Sequence, residues 1–162
     1  MPTINELRIE TSYFRNLIDI CDKNNTTLVI DCFPVMSCKL TSMLLSYHFL
    51  TLWPDIEITG VSGVTGKNDT ITHYWLEVSN IVIDITGDQY NIINANELTK
   101  SIVMHRPFQP IHIEYRDCSY LHEIFRVNER ETFIKGFPTI TETFIESMKL
   151  DYTKLIGTVK YK

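Results

Sequence analysis

Cys38, His73 and Asp84 stand in this chain in settings that suit thiol chemistry. Catalysis by cysteine needs a thiolate, a proton shuttle and a group that orients the shuttle. Cys38 lies in "FPVMSCKLTSMLLSYHFL", a turn that runs straight into an apolar helical pattern. With Ser37 as N-cap, Cys38 is the first helical residue. There the helix dipole and backbone N–H groups without helical acceptors favour negative charge. A thiol that ordinarily titrates near about 8.5 is drawn toward thiolate in such a place. The same N–H groups can hold an oxyanion, with Ser37, Trp75 and Gln89 as further cleft or oxyanion candidates. Asn24 and Asn25 are weaker candidates for that donor.

His73 and Asp84 come from "THYWLEV" and "IVIDITGDQY", β-branched and aromatic runs joined by Ser79 and Asn80, which read as a hairpin. A two-residue loop pairs Val78 with Ile81, so Trp75 faces Asp84 and His73 faces Thr86. His73 and Asp84 are then diagonal neighbours on one face, about 7–8 Å apart in the backbone and within side-chain reach. A loop longer by one residue would put them on opposite faces. A carboxylate on one imidazole nitrogen fixes the tautomer and frees the other nitrogen for Cys38. Asp84 sits inside the apolar run "IVIDIT", where a buried carboxylate needs a partner.

The elements that position these residues follow from periodicity and caps. Thr3 and Glu6 form a capping box for a helix over about residues 4–22. "TTLVIDCF" reads as an extended or strand segment. In the helix from Cys38, Leu40, Met43, Leu44, Tyr47 and Thr51 share one core-directed face, and Pro54 marks its exit. "IEITGVSGV" is a strand, "TGKND" an exposed loop, and "PIHIEYR" a further strand. Asp117 is placed to cap a helix over about 118–134, ended by Gly136. Thr139 and Glu142 would open a short helix to about Lys149. The expectation is an α+β fold in a single domain spanning 1–162: an antiparallel sheet with helices on one side, and Cys38 on a helix N-terminus packed against it.

These motifs resemble the transglutaminase-like branch of the papain-like cysteine hydrolase superfamily. The resemblance rests on Cys38 at a helix start, on His73-Tyr74-Trp75-Leu76-Glu77-Val78, and on Asp84-Ile85-Thr86. "FPVMSC" and Asp88-Gln89-Tyr90 are similar to segments of small bacterial members; the likeness covers about residues 30–90. It implies a papain-like fold and a Cys–His–Asp triad acting on amide or acyl bonds of a protein or peptide. Protease, glutamine deamidase and transglutaminase chemistry all remain open. So does a catalytically idle member that serves as a protein-binding module. Tyr74 stands where the family has a small residue, which predicts a narrower cleft. Val35-Met36 replace a glycine-containing turn, which predicts a less open approach to Cys38.

Composition narrows the classes. A net charge of −5 gives no broad attraction to nucleic acid or anionic lipid, and no apolar run is long enough to span a membrane. The N-terminal stretch lacks the pattern of a signal peptide. The reading is therefore cytoplasmic, with signal-independent secretion as the alternative. Cys21, Cys32, Cys38 and Cys118 give no CxxC pair, so neither a metal nor another cofactor is called for. Cys21, Cys32 and Cys118 read as small buried hydrophobes. Trp75 reads as core or cleft wall and Glu77 as a solvated strand residue. His105, His112 and His122 form no ligand set, and the lysines near the C-terminus make a mildly basic tail.

Overall fold

In the computed structural model, which describes residues 1–160, the chain enters α1 (Ile4–Ile20) through the expected capping box. The Glu6 carboxylate accepts from the Thr3 backbone N–H at 2.7 Å, and the Thr3 hydroxyl accepts from Glu6 N–H at 3.2 Å. Tyr161 and Lys162, the end of the basic tail, lie outside the described residues. After α1 the "TTLVIDCF" stretch joins no strand; it runs as bends and turns. Its backbone is held by side chains instead: Asp151 accepts from the N–H groups of Thr27 and Leu28.

α2 (Cys38–Leu52) begins where expected, but its burial is wider than one face. Thr41, Ser42, Met43, Leu44, Leu45, Ser46, His48 and Phe49 are all buried, whereas Tyr47 is only partly buried and Thr51 is exposed. The helix lies between the sheet, α1 and α6 (Glu142–Lys160), so most of its circumference meets protein. α6 runs beyond the short helix expected from Thr139. Thr139 instead bonds Glu131, and Thr141 supplies the side-chain acceptor at the helix start, to Phe144 N–H.

Five strands make one antiparallel sheet in the order β4-β3-β2-β1-β5. They are β1 (Glu57–Thr65), β2 (Ile71–Val78), β3 (Ile81–Asp84), β4 (His112–Tyr115) and β5 (Arg126–Ile134). The β2–β3 register pairs Val78 with Ile81 and Leu76 with Ile83, as the two-residue loop requires. Ser79, at φ 53°, takes the left-handed conformation in that loop. β3 ends at Asp84, so the expected pairing of His73 with Thr86 does not form.

The segment expected as a helix over 118–134 is a correction. It holds a tight turn, the short α5 (Leu121–Ile124) and all of β5, which pairs along β1. Polar residues dominate β5 because it is an edge strand with water on its outer side. Its Arg and Glu content mimics a helix former until the pairing with β1 overrides it.

The sheet is covered on both faces, not one. Ile58, Leu76, Ile83 and Phe133 pack beneath α1, α2 and α6. On the other face, Val61, Trp75 and Val82 pack beneath α3 (Gln89–Ile92), α4 (Lys100–Met104) and α5, through Tyr90, Ile102 and Leu121. No helix among the described residues is long and apolar enough to cross a membrane.

Candidate active site

Alternation along β2 decides which side chains meet. Odd-numbered His73, Trp75 and Glu77 face the α3–α5 side, while Tyr74 and Leu76 face the helical layer. His73 is fully buried, stacked on Phe125 with ring centroids 5.3 Å apart and edge-on to Tyr90 at 5.2 Å. Its Nε2 donates to Asp84 Oδ2 at 2.7 Å. The diagonal contact expected from the hairpin register therefore exists. Asp84 Oδ1 also accepts from Thr86 N–H at 3.0 Å. Gly87 leaves room for this carboxylate, since a Cβ there would lie 3.1 Å from Asp84 Oδ2.

With Nε2 committed to Asp84, Nδ1 is left for Cys38 and Gln89. The amide nitrogen of Gln89 lies 3.4 Å from Nδ1. Cys38, half-buried at the start of α2, interacts with the His73 ring and with the Tyr74 backbone N–H. Burial pushes the Cys38 thiol up, but His73 and the Tyr74 N–H outweigh it, and the net shift is downward. Burial pulls His73 down, yet the Asp84 charge and hydrogen bond, with Cys38, hold it above its ordinary value. Asp84 is raised by burial and lowered more by His73 and the Thr86 N–H. The three shifts favour a thiolate, an imidazolium and a carboxylate together.

The thiol opens on a cleft of about 560 Å3. Val35, Met36, Leu40, Ile71, Ile93 and Leu98 give it an apolar lining, with Gln89 and Tyr90 also facing it. Met36 is 79% exposed and has φ 57°, a conformation rare for a non-glycine residue, on the turn that delivers Cys38.

The remaining sequence candidates fall elsewhere. Ser37 is buried and donates to Val35 O at 3.1 Å, so its hydroxyl braces the turn and does not line the cleft. Trp75 is buried beneath Phe125 and His122, with its indole N–H on Glu77, so it is core and not cleft wall. Asn24 and Asn25 sit in a turn after α1, against α6, and line no part of the cleft. Tyr74 points into the helical layer, where its hydroxyl donates to Glu131 at 2.8 Å, so it does not narrow the cleft. Glu77 is buried, not solvated: it accepts from Trp75, His122, Arg116 and Arg130. Of the three other cysteines only Cys21 is buried; Cys32 and Cys118 are exposed. Among the described residues no cluster of His, Cys, Asp and Glu is arranged to hold a metal ion.

Arg15 carries no obvious sequence signal of a site, yet it is buried and reaches the loop after Asp84. The clue lay in spacing: Leu7, Thr11, Arg15 and Ile18 share one helical stripe, and a cation there needs a buried partner. Comparison of the chain with family models, with curated proteins and with solved structures finds no match.

Proposed function

We propose that this protein is a cysteine-dependent hydrolase or acyl transferase acting on amide bonds of a protein or peptide, on a papain-like, transglutaminase-like scaffold. One observation carries the reading: the buried bond from His73 Nε2 to Asp84, which leaves Nδ1 of the ring for Cys38 at the head of α2. A histidine serving only the core would not need an imidazolium-stabilising carboxylate and a half-buried thiol on opposite sides.

In the reaction, the Cys38 thiolate adds to the amide carbonyl carbon. The carbonyl oxygen takes up the negative charge, facing the backbone N–H groups that open α2 and the Gln89 amide. The C–N bond breaks as His73 gives its proton to the departing nitrogen, leaving a thioester on Cys38. Water or an amine then gives a proton to His73 and attacks the thioester carbon; the C–S bond breaks, and Cys38 leaves as the thiolate beside the reprotonated ring. Asp84 keeps the ring oriented and stabilises its charged form throughout. With water the outcome is hydrolysis or deamidation; with an amine it is transfer.

Thiol alkylation followed by peptide mass spectrometry between pH 5 and 9 tests this on the native protein and on His73→Ala. Cys38 is expected to react at pH 6 in the native protein. In His73→Ala that rate should drop by about 10- to 100-fold, because an ordinary thiol is almost wholly protonated there and the greater nucleophilicity of its thiolate recovers only part of the loss. A Cys38 that reacts like an ordinary thiol with and without His73 sinks the proposal.

The Gln89 amide, 3.4 Å from the same ring nitrogen, favours a second reading. A resting contact there competes with Cys38 and suits an idle triad in a protein-binding module. Cys38 that stays inert until the protein unfolds supports that reading.

A further inference from the structure

The residues that bracket the loop after β3, Asp84 and Gln89, must keep a fixed distance from the turn that presents Cys38. Arg15, on α1, reaches both that loop and that turn. Its Nη1 donates to Ile85 O at 2.6 Å, to Asp88 Oδ1 at 3.0 Å and to Pro110 O at 2.9 Å. Its Nη2 donates to Asp88 Oδ2 at 2.8 Å, and its Nε is shared with Asp19 at 3.2 Å. The guanidinium also lies 4.6 Å from the ring centroid of Phe33, the first residue of "FPVMSC". One planar group thus grips the backbone one residue after Asp84, the carboxylate one residue before Gln89, the approach to β4, and the cysteine turn.

We infer that Arg15 is a positioning residue, which sets the separation of Cys38 from His73 and Asp84 through these contacts. The inference rests on the proposed thiol chemistry of Cys38 and His73. Stability alone is a poor account of the arrangement, because a buried ion pair often does no better than apolar side chains of the same volume. What an apolar replacement lacks is direction. The guanidinium fork fixes distance and angle toward several acceptors at once, which a lysine ammonium does not.

The test uses Arg15→Lys, Arg15→Ala and Asp88→Asn in the full chain. Folding is followed by circular dichroism and thermal melting, and Cys38 by its alkylation rate from pH 5 to 9. Variants that fold should lose at least about tenfold of the pH 6 rate, with reactivity moving toward the alkaline range of a free thiol. Methylguanidinium at millimolar concentration should restore part of that rate in Arg15→Ala and none in Asp88→Asn. Folded variants that melt lower but keep the native pH profile would make Arg15 a structural brace only, and the inference falls. If the Arg15 variants do not fold, Asp88→Asn decides; if it also fails, no positioning role separable from stability exists. A native protein whose Cys38 lacks reactivity at pH 6 removes the triad reading itself. A native profile that is reactive and unchanged by these substitutions removes only the role of Arg15.

Discussion

His73 and Asp84 shift in opposite directions, so each contributes stability in its own pH window. The His73 value is raised from 6.5 toward about 10, so its contribution is complete below the unfolded value and is lost as pH rises through the folded one. Asp84 is depressed below 3.8, so its contribution is present above that value and is lost as pH falls through the lower, folded one. Urea unfolding of the native protein and Asp84→Asn should therefore differ most between about pH 4 and 6.5, and the gap should narrow by pH 9. A gap that is flat, or that widens with pH, contradicts the ion pair. Glu77 belongs to the same scale. Its removal leaves the buried Trp75 indole N–H without an acceptor, while Arg116 and Arg130, 41% and 43% exposed, can regain water. Glu77→Ala should cost about 2–3 kcal/mol in urea unfolding, below the full cost of breaking a wholly buried pair. A loss under about 0.5 kcal/mol would return Glu77 to the ordinary surface. Sequence could not reveal this burial. Glu77 alternates correctly for its face, but what covers that face comes from α5, β5 and the turn at Arg116, far along the chain.

Among the elements, the central hairpin was the most legible. Its loop length and alternation fix the side of the sheet for every residue from His73 to Asp84, and the register follows. The Cys38 helix was legible for a similar local reason: a turn, then a sustained apolar pattern. β5 was not, because only Phe133 in it is buried, which leaves no alternation to read, and only its pairing with β1 identifies it. The β1–β2 pair holds a packing relationship that periodicity also cannot disclose. A Cβ at Gly60 would lie 1.8 Å from the Tyr74 hydroxyl oxygen and 2.7 Å from the ring carbon that bears it. Gly60→Ala should destabilise the protein by about 1–3 kcal/mol through overpacking. Combined with Tyr74→Phe it should cost less than the sum of the two single changes, since the worst contact is gone. Strict additivity in a double-mutant cycle by thermal melting would refute that coupling.

At the level of the molecule, the helical layer is tied to the cysteine turn by polar groups drawn from distant parts of the chain. His48 on α2 bonds Glu10 on α1 and Tyr152 on α6, both at 2.9 Å. Asp151 on α6, fully buried, accepts from Thr27 and Leu28 and so holds the segment that leads into the cysteine turn. Asp151→Ala strands those N–H groups and should lower stability by about 2–3 kcal/mol in urea unfolding; a change near zero would mean the segment holds without it.

The strand order has a consequence for how the chain is made. β1, β2 and β3 are consecutive in sequence and adjacent in space, β4 then joins β3, and β5 crosses to the free edge of β1. Cys38, His73, Asp84 and Gln89 all precede β4. On the ribosome, Cys38 and the residues grouped around it are therefore all made before β5, and the β1 edge has no partner strand on that side until residues 126–134 are made. Phe125, which stacks on His73, and β5, which pairs with β1, come from the same late stretch, so the ring and the open sheet edge are covered together.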